Sequence, residues 1–410
     1  GNNVKIYNII DGNSWPVNVA VNGVGDWLNV GHKGTDGSIA TIVNADGDNY
    51  YVGGDFTEAS GISAQNLAKF NKTDGWSAFG SGTNGKVNTI AISSYGNVYV
   101  GGEFTEIDGV SVSNVAFWNG TSWNAMNGGT NGPVAKIGID SDDMVYVGGT
   151  FETCGGVTVN NIGLWSNNSW TALANETNGV VGSNNEVRAI AFDENDVLHI
   201  GGNFDNVGGI AAPRIATWYG STWDTLGEGT SGFVQAILIL PNYIYAGGNF
   251  AIAGSETVNR IARWNRNTST WEALNVGLSG SVNDLAFDGT YVYAGGSFGT
   301  ASNSSDINEI MRNIARWSDS EGWKALGPNT MVGTDNVINT MIFSGNDNGL
   351  FVGGNFTNAG QTEVNNIAEW NTIGCNDTSL TIEYNLNGAV TTDTDSVSVD
   401  EDASLILGIS

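Results

Sequence analysis

The hexapeptide Tyr-Val-Gly-Gly-Asp-Phe at residues 51–56 decides the fold, because variants of it recur six more times along the 410-residue chain. Each copy has an aromatic residue or His, then Val, Ile or Ala, then two glycines, a variable residue and Phe. The copies are YVGGDF at 51–56, YVGGEF at 99–104, YVGGTF at 146–151, HIGGNF at 199–204, YAGGNF at 245–250, YAGGSF at 293–298 and FVGGNF at 351–356. Successive copies start 46–58 residues apart, which predicts seven structural units.

Three further segments repeat in register with the glycine pairs. An apolar stretch such as VNTIAIS at 87–93 precedes each pair, and a motif such as NVAFW at 114–118 follows it. A second Trp comes five to seven residues later in six units, at Trp76, Trp123, Trp170, Trp223, Trp271 and Trp323. Four short extended segments per unit, repeated seven times, predict an all-β protein, a seven-bladed β-propeller with four-stranded antiparallel blades.

The paired glycines and the Trp doublets are interpreted as structural positions. Glycine inside a strand indicates close approach by a bulky group, and a Trp ring of the same or the adjacent blade is the expected neighbour. The fixed place of the Trp doublets predicts core packing. The glycines of the repeat are Gly53, Gly54, Gly101, Gly102, Gly148, Gly149, Gly201, Gly202, Gly247, Gly248, Gly295, Gly296, Gly353 and Gly354.

The ring is predicted to close through the N-terminal part of the chain. The last unit contains NIAEW at 366–370 but lacks the second Trp segment. The missing segment is found around Trp27, directly before the first apolar stretch. We therefore expect the Trp27 segment to form the outermost strand of blade seven, beside Trp370, and to remove an open sheet edge.

These motifs together resemble the kelch-type propeller repeat and, more closely, the Rax2-like repeats of cell-surface proteins. Similar repeats occur in secreted bacterial proteins and in phage or virus structural proteins, and the resemblance covers about residues 24–371. It implies that the glycine pair lies on the second strand of each blade. It also implies that ligands bind on the face bearing the second-to-third and fourth-to-first strand loops, but it does not identify a function.

Composition and charge exclude several classes of partner. The chain has 42 Asp and Glu against 14 Lys and Arg, a net charge of -28, which disfavours nucleic acid and anionic membrane surfaces. No apolar run approaches the length of a membrane-spanning helix, so no membrane insertion is expected. An acidic exterior suits an extracellular, cell-surface or virion location.

The residues needed for common catalytic and metal sites are scarce. His199 occupies a repeat position that is Tyr or Phe elsewhere, and His32 lies in a loop. A Ser-His-Asp triad, a zinc site and the copper site of galactose-oxidase-like propellers are therefore disfavoured. No cofactor is expected. Calcium at the acidic turns 46–48 and 140–143 stays open, although Asp in these turns also suits hairpin geometry. Cys154 and Cys375 are predicted on opposite faces, without a disulfide.

Irregular loops are the remaining pointer to a binding site. The long insertions are 174–186, 299–312 and 327–337, and by the kelch strand order all three lie on one face. The second and third are neighbours at blades six and seven. The candidate polar contacts there are Asp306, Glu309, Arg312, Asp335 and Asn336.

The sequence thus predicts three regions: an N-terminal β extension at 1–23, the propeller at 24–374 and an acidic C-terminal β extension at 375–410. We expect a non-enzymatic structural or adhesion module that binds a glycan, a receptor or another protein, or that self-assembles through its terminal strands. The alternative is a carbohydrate-active enzyme, a glycosidase or lyase, that uses carboxylates on the long-loop face.

Overall fold

The computed structural model describes residues 27–31, 33–302, 308–327, 332–344 and 349–371. For strand residues 6–7, 14–15, 302, 308–309, 384–386 and 389–391 it describes the backbone only. Seven antiparallel four-stranded sheets follow one another along the chain, each with the strand order first, second, third, fourth. The chain is therefore a seven-bladed β-propeller, as the repeat predicts.

The blades have nearly equal strands. In blades one to four the strands are Ser38–Asp46, Asn49–Asp55, Leu67–Asn71 and Gly75–Ala78; Val87–Ile92, Val98–Gly102, Val115–Trp118 and Trp123–Ala125; Val134–Ile139, Val145–Gly149, Ile162–Ser166 and Ser169–Ala172; Val187–Phe192, Leu198–Gly202, Ile215–Trp218 and Trp223–Thr225. In blades five to seven they are Val234–Ile239, Tyr243–Gly248, Ile261–Asn265 and Thr270–Ala273; Ser281–Phe287, Val292–Ser297, Ile314–Ser318 and Gly322–Ala325; Ile338–Phe343, Leu350–Gly354, Ile367–Trp370 and Trp27–Asn29.

Each second-to-third loop contains a small hairpin that the sequence does not predict. The hairpin strands are Glu58–Ala59 with Ile62–Ser63, Glu106–Ile107 with Val110–Ser111, Thr153–Cys154 with Val157–Thr158, Asn206–Val207 with Ile210–Ala211, Ile252–Ala253 with Glu256–Thr257, Thr300–Ser302 with Asn308–Ile310, and Asn358–Ala359 with Thr362–Glu363. In blade six Gly277–Leu278 adds a third strand. These hairpins add small two-stranded sheets to the face that carries the second-to-third loops.

The N-terminal segment closes the ring, as predicted. Trp27 pairs with Trp370 and Asn29 with Ala368 in antiparallel register. The Trp27 and Trp370 rings lie 5.1 Å apart, and both side chains are buried. An ion pair of 2.6 Å between Lys72 of blade one and Glu369 of blade seven joins the same two blades. The strand that closes the ring therefore comes from the opposite end of the propeller sequence.

The prediction that Trp rings face the paired glycines is wrong. A Cβ added to Gly101 would lie 2.5 Å from Val134 Cγ1, on the first strand of the next blade. A Cβ added to Gly102 would overlap the carbonyl oxygen of Lys86, beside the β-bulge of the blade's own first strand. The first glycine thus allows the next blade to approach, and the second allows the bulge.

The Trp doublets pack in the core, as predicted. Trp165 and Trp170 sit opposite each other on the third and fourth strands of blade three, with ring centroids 5.0 Å apart. The indole N–H of Trp170 donates to the carbonyl oxygen of Met126 in blade two, at 2.7 Å. Each doublet therefore packs its own blade, and Trp76, Trp170, Trp271 and Trp323 also bond their blades to the preceding ones.

The Asn of the NVAFW-type motif has a backbone role. Asn114 has a left-handed φ of 62°, a conformation that Asn adopts more readily than most residues. Its side-chain amide donates to the carbonyl oxygen of Thr130, in the loop that leads to the next blade, at 3.0 Å. Asn66, Asn161, Asn313 and Asn366 make the equivalent bond.

The flanking segments contain short strand pairs. Ile6–Tyr7 pairs with Ser14–Trp15, and Tyr384–Leu386 pairs with Ala389–Thr391. The predicted boundaries at 23/24 and 374/375 lie outside the described residues and stay predictions. Within the described chain, no helix is long and apolar enough to cross a membrane.

Candidate functional site

The loops between blades and the hairpins within blades form one face of the ring. In six blades an isolated bridge joins the fourth-to-first loop to the hairpin, as Thr334 does with Ala359. The strand order therefore places the insertions 174–186, 299–312 and 327–337 on this face, as far as the structure describes them. We call it the loop face.

At every blade, a polar side chain in the fourth-to-first loop accepts hydrogen bonds from the second-to-third loop. Asp335 accepts hydrogen bonds from the backbone N–H groups of Thr357 and Asn358, at 2.9 and 3.1 Å. Its second oxygen accepts from the side chains of the same two residues, at 2.6 and 3.0 Å. Equivalent pairs of backbone bonds end on Asp36, Asn84, Asn131, Asn184, Ser231 and Ser279.

The Asp335 carboxyl is therefore held as a carboxylate. Burial alone would raise its pKa, but the hydrogen bonds from Thr357 and Asn358 outweigh it and leave the pKa below the usual value. All four acceptor positions of the carboxylate are used within the chain. Of the candidate contacts, Asp335 thus has a clear structural role in joining blade seven to the preceding loop.

The other candidate residues occupy different environments. The side-chain oxygen of Asn336 accepts from the N–H of Val337 at 2.8 Å, which stabilises its own turn. Glu309 lies in a hairpin strand whose side chain is not described, and Asp306 lies outside the described residues. Among the candidates whose side chains are described, the structure brings Arg312 and Asp335 together.

Arg312 and Asp335 line a shallow depression between blades six and seven. Its volume is about 400 Å³, and its other lining residues are Ser297, Phe298, Gly299, Asn313 and Thr334. Arg312 is exposed and has a left-handed φ of 43°. It forms no ion pair among the described residues. The depression therefore has both polar and apolar lining, with the cation of Arg312 and the carboxylate of Asp335 at its edge.

Gly299 is the residue of this site that sequence reasoning missed. It follows the sixth GGxF string, where the other units have Thr57, Thr105, Glu152, Asp205, Ala251 and Thr357. A Cβ added to Gly299 would meet no described atom within 4 Å. A comparison of the position after each string would have found the one unit that lacks a side chain there.

His199 is a buried structural residue, in agreement with the sequence interpretation. Its Nδ1 lies 3.0 Å from the hydroxyl of Thr217, and the side chain is 4% exposed. Burial lowers its pKa to about 4, so the ring is neutral near pH 7. His32 lies outside the described residues.

The acidic turn at 140–143 is explained by hairpin geometry and by contacts between blades. One carboxylate oxygen of Asp140 accepts from the N–H groups of Asp142 and Met144, at 3.1 and 2.9 Å. Asp143 accepts from the backbone N–H of Ser94 in blade two, at 2.7 Å. Across the described chain, no group of three or more His, Cys, Asp or Glu could hold a metal ion.

Cys154 is a free thiol on a hairpin strand of blade three. The side chain is fully buried, and burial raises its pKa to about 12. The thiol is therefore not a nucleophile near pH 7. Cys375 lies outside the described residues, so its predicted position on the opposite face stays a prediction.

Two charged residues on the inner strands were also missed. Lys136 and Asp284 each pair with the first glycine of the repeat, in blades three and six. Burial raises the pKa of Asp284, while the charge of Lys136 opposes this shift. Asp284 accepts from the N–H of Met341 in the next blade at 2.6 Å, so it too binds two blades together.

Comparisons with known proteins agree with the fold. A family model described as the Rax2 C-terminal beta propeller domain matches residues 28–144. The solved WD40 beta propeller domain of Doa1 is similar with a TM-score of 0.53 and 14% identity, over 85% of this chain and 96% of that chain. No curated protein matches the chain.

A second similar structure is larger than this chain. It is the extracellular domain of a putative hybrid two component system from B. thetaiotaomicron, with a TM-score of 0.53 and 12% identity. The match covers 85% of this chain and 39% of that one. At these identities both structures show the β-propeller fold alone.

Proposed function

We propose that the chain is a non-enzymatic, kelch-like propeller module that acts outside the cell, on a cell surface or on a virion. It serves in structure or adhesion and binds a glycan or receptor through the loop face. The observation that carries this proposal is the depression of about 400 Å³ beside Arg312, where blade six departs from the repeat.

Three further observations support the proposal. The carboxylate of Asp335 is fully hydrogen-bonded within the chain, which suits a structural contact better than proton transfer. The Rax2 match and the extracellular domain among the similar structures are compatible with a surface location. The net charge of -28 disfavours nucleic acid and anionic membranes as partners.

The terminal segments would supply a second mode of interaction, with neighbouring copies of the chain. Both flanks contain strand pairs, and extended segments can add to the sheet of a neighbouring subunit. Self-assembly through these segments would make the propeller a building block.

The test compares the native mass of residues 1–410 with that of the ring alone, residues 24–374, by light scattering and negative-stain imaging. Assembly of the full chain with a monomeric ring would support the structural role. If both are monomers, self-assembly is rejected and glycan or receptor binding remains. Turnover of an acidic polysaccharide that is lost in Asp306→Asn would instead favour the carbohydrate-active enzyme.

A further inference from the structure

Gly299 lines the depression beside blade six and contributes no side chain to it. Its φ lies outside the left-handed region, so the backbone does not require glycine at this position. An added Cβ would contact no described atom, so close packing does not require it either. The glycine is thus a choice of residue and is not imposed by the fold.

Arg312 occupies a backbone position that suits Asn better. Blades three, five and seven have Asn160, Asn259 and Asn365 there, with φ values of 50°, 46° and 49°. Arg312 has the same conformation at 43°, which is less favourable for a long side chain. A residue held in an unfavourable conformation beside an open depression is a reason to look for a function.

The guanidinium of Arg312 shares the depression with the carboxylate of Asp335, whose acceptor positions are already filled by Thr357 and Asn358. Arg188, Arg214, Arg263 and Arg266 all form ion pairs of 2.6–2.9 Å. Arg312 forms none among the described residues, although acids outnumber bases three to one in the chain. Its donors are therefore available to an anionic group.

The rest of the depression limits what that group can be attached to. The side-chain amide of Asn313 donates to Thr334, whose hydroxyl in turn donates to Asn336, so both are occupied. Phe298 is 3% exposed and offers no apolar surface. A ligand anchored by an apolar side chain has no pocket here, whereas a polar sugar needs none.

We propose that Gly299 and Arg312 form a binding site for the carboxylate of a single acidic sugar at the end of a glycan. This inference rests on the proposed role in glycan binding and names the ligand class. The net charge of -28 would repel a polyanion, so one carboxylate on a neutral glycan is preferred to a uronic acid polymer.

The test uses the full chain and calorimetry with three probes. These are a neutral tetrasaccharide capped by one glucuronic acid, its methyl ester and the uncapped tetrasaccharide. We expect the acid to bind at least about tenfold more tightly than the ester, because a charge-assisted hydrogen bond is lost. A probe capped by a sulfated sugar separates carboxylate recognition from recognition of any anion.

Two variants change the site by different means. Arg312→Asn removes the cation and installs the residue that three other blades use. Gly299→Thr adds a side chain at the wall of the depression, the residue found at Thr57, Thr105 and Thr357. Both are expected to keep the melting temperature of the wild type and to weaken binding of the acid at least about tenfold.

Arg260→Asn is the matched control, because Arg260 also has a left-handed φ, of 74°, and lies in blade five. It should leave binding unchanged. Binding of the acid that survives both site variants, or equal binding of acid and ester, would overturn the inference and leave glycan binding itself standing. If none of the probes binds, the inference fails as well, and the proposed function then rests on the assembly measurement.

Discussion

At the scale of single residues, His199 ties the stability of the ring to pH. Burial lowers its pKa to about 4, against 6.5 for the free side chain. The unfolded chain therefore takes up a proton first, and stability falls as the pH drops from about 6.5 towards 4. His199→Phe should be about 2 kcal/mol less sensitive than the wild type to a change from pH 7.5 to pH 5. Urea unfolding at the two pH values measures this difference.

Tyr99→Phe is the control for this experiment. Tyr99 holds the equivalent position in blade two, and it is also buried. Its loss of a hydroxyl should leave the pH dependence as in the wild type. Equal pH dependence in His199→Phe and the wild type would show that folding does not lower the pKa of His199.

Individual residues were the least predictable part of the molecule. The role of His199 could be predicted because the repeat aligns it with buried Tyr and Phe residues. The saturation of Asp335 could not, because its four donors come from the hairpin around Thr357, which the repeat shows only as a loop. Gly299 is visible only when the seven units are compared position by position.

At the scale of strands, the first glycine of each pair sets the distance between blades. Gly101→Ala would place a methyl group 2.5 Å from Val134 Cγ1 and should cost about 1–3 kcal/mol of unfolding free energy. Val134→Ala alone should cost about 2 kcal/mol, because Val134 is fully buried. The double variant should cost about 1 kcal/mol less than the sum, since the smaller side chain makes room for the new methyl.

The double-mutant cycle is measured by urea unfolding, with Gly101→Ala and Val187→Ala as the control pair. Val187 lies beside Gly148, in a different blade interface, so the control effects should be additive. Additive effects for Gly101 and Val134 as well would mean that the two blades do not meet through these atoms.

The strands themselves were predictable, and the hairpins between them were not. Four segments per unit are long enough to show apolar runs, Trp doublets and glycine pairs. The hairpin strands have two residues each in most blades, such as Glu106–Ile107 and Val110–Ser111, which is too short for any periodicity. The prediction that Trp rings face the glycines was wrong for a similar reason. The sequence shows that a neighbour approaches closely, but not which neighbour it is.

At the scale of the whole molecule, stability depends on the strand that closes the ring. Closure joins residues more than 330 positions apart, because Trp27 pairs with Trp370. Without it, blade seven would lose its outer strand and expose a sheet edge. Since each blade packs on both neighbours, loosening one joint weakens the support of the blades beside it.

Trp27→Ala tests this dependence. Trp27 is 3% exposed and packs on Trp370, so its removal should cost about 3–5 kcal/mol of unfolding free energy. Leu28→Ala, on the same strand but 42% exposed, should cost less than about 1 kcal/mol. Urea unfolding followed by Trp fluorescence compares the two. Because the buried Trp residues are spread over all blades, a fluorescence transition shifted as a whole shows that closure stabilises the entire ring, whereas a cost no larger than that of Leu28→Ala would show that the ring holds without this strand.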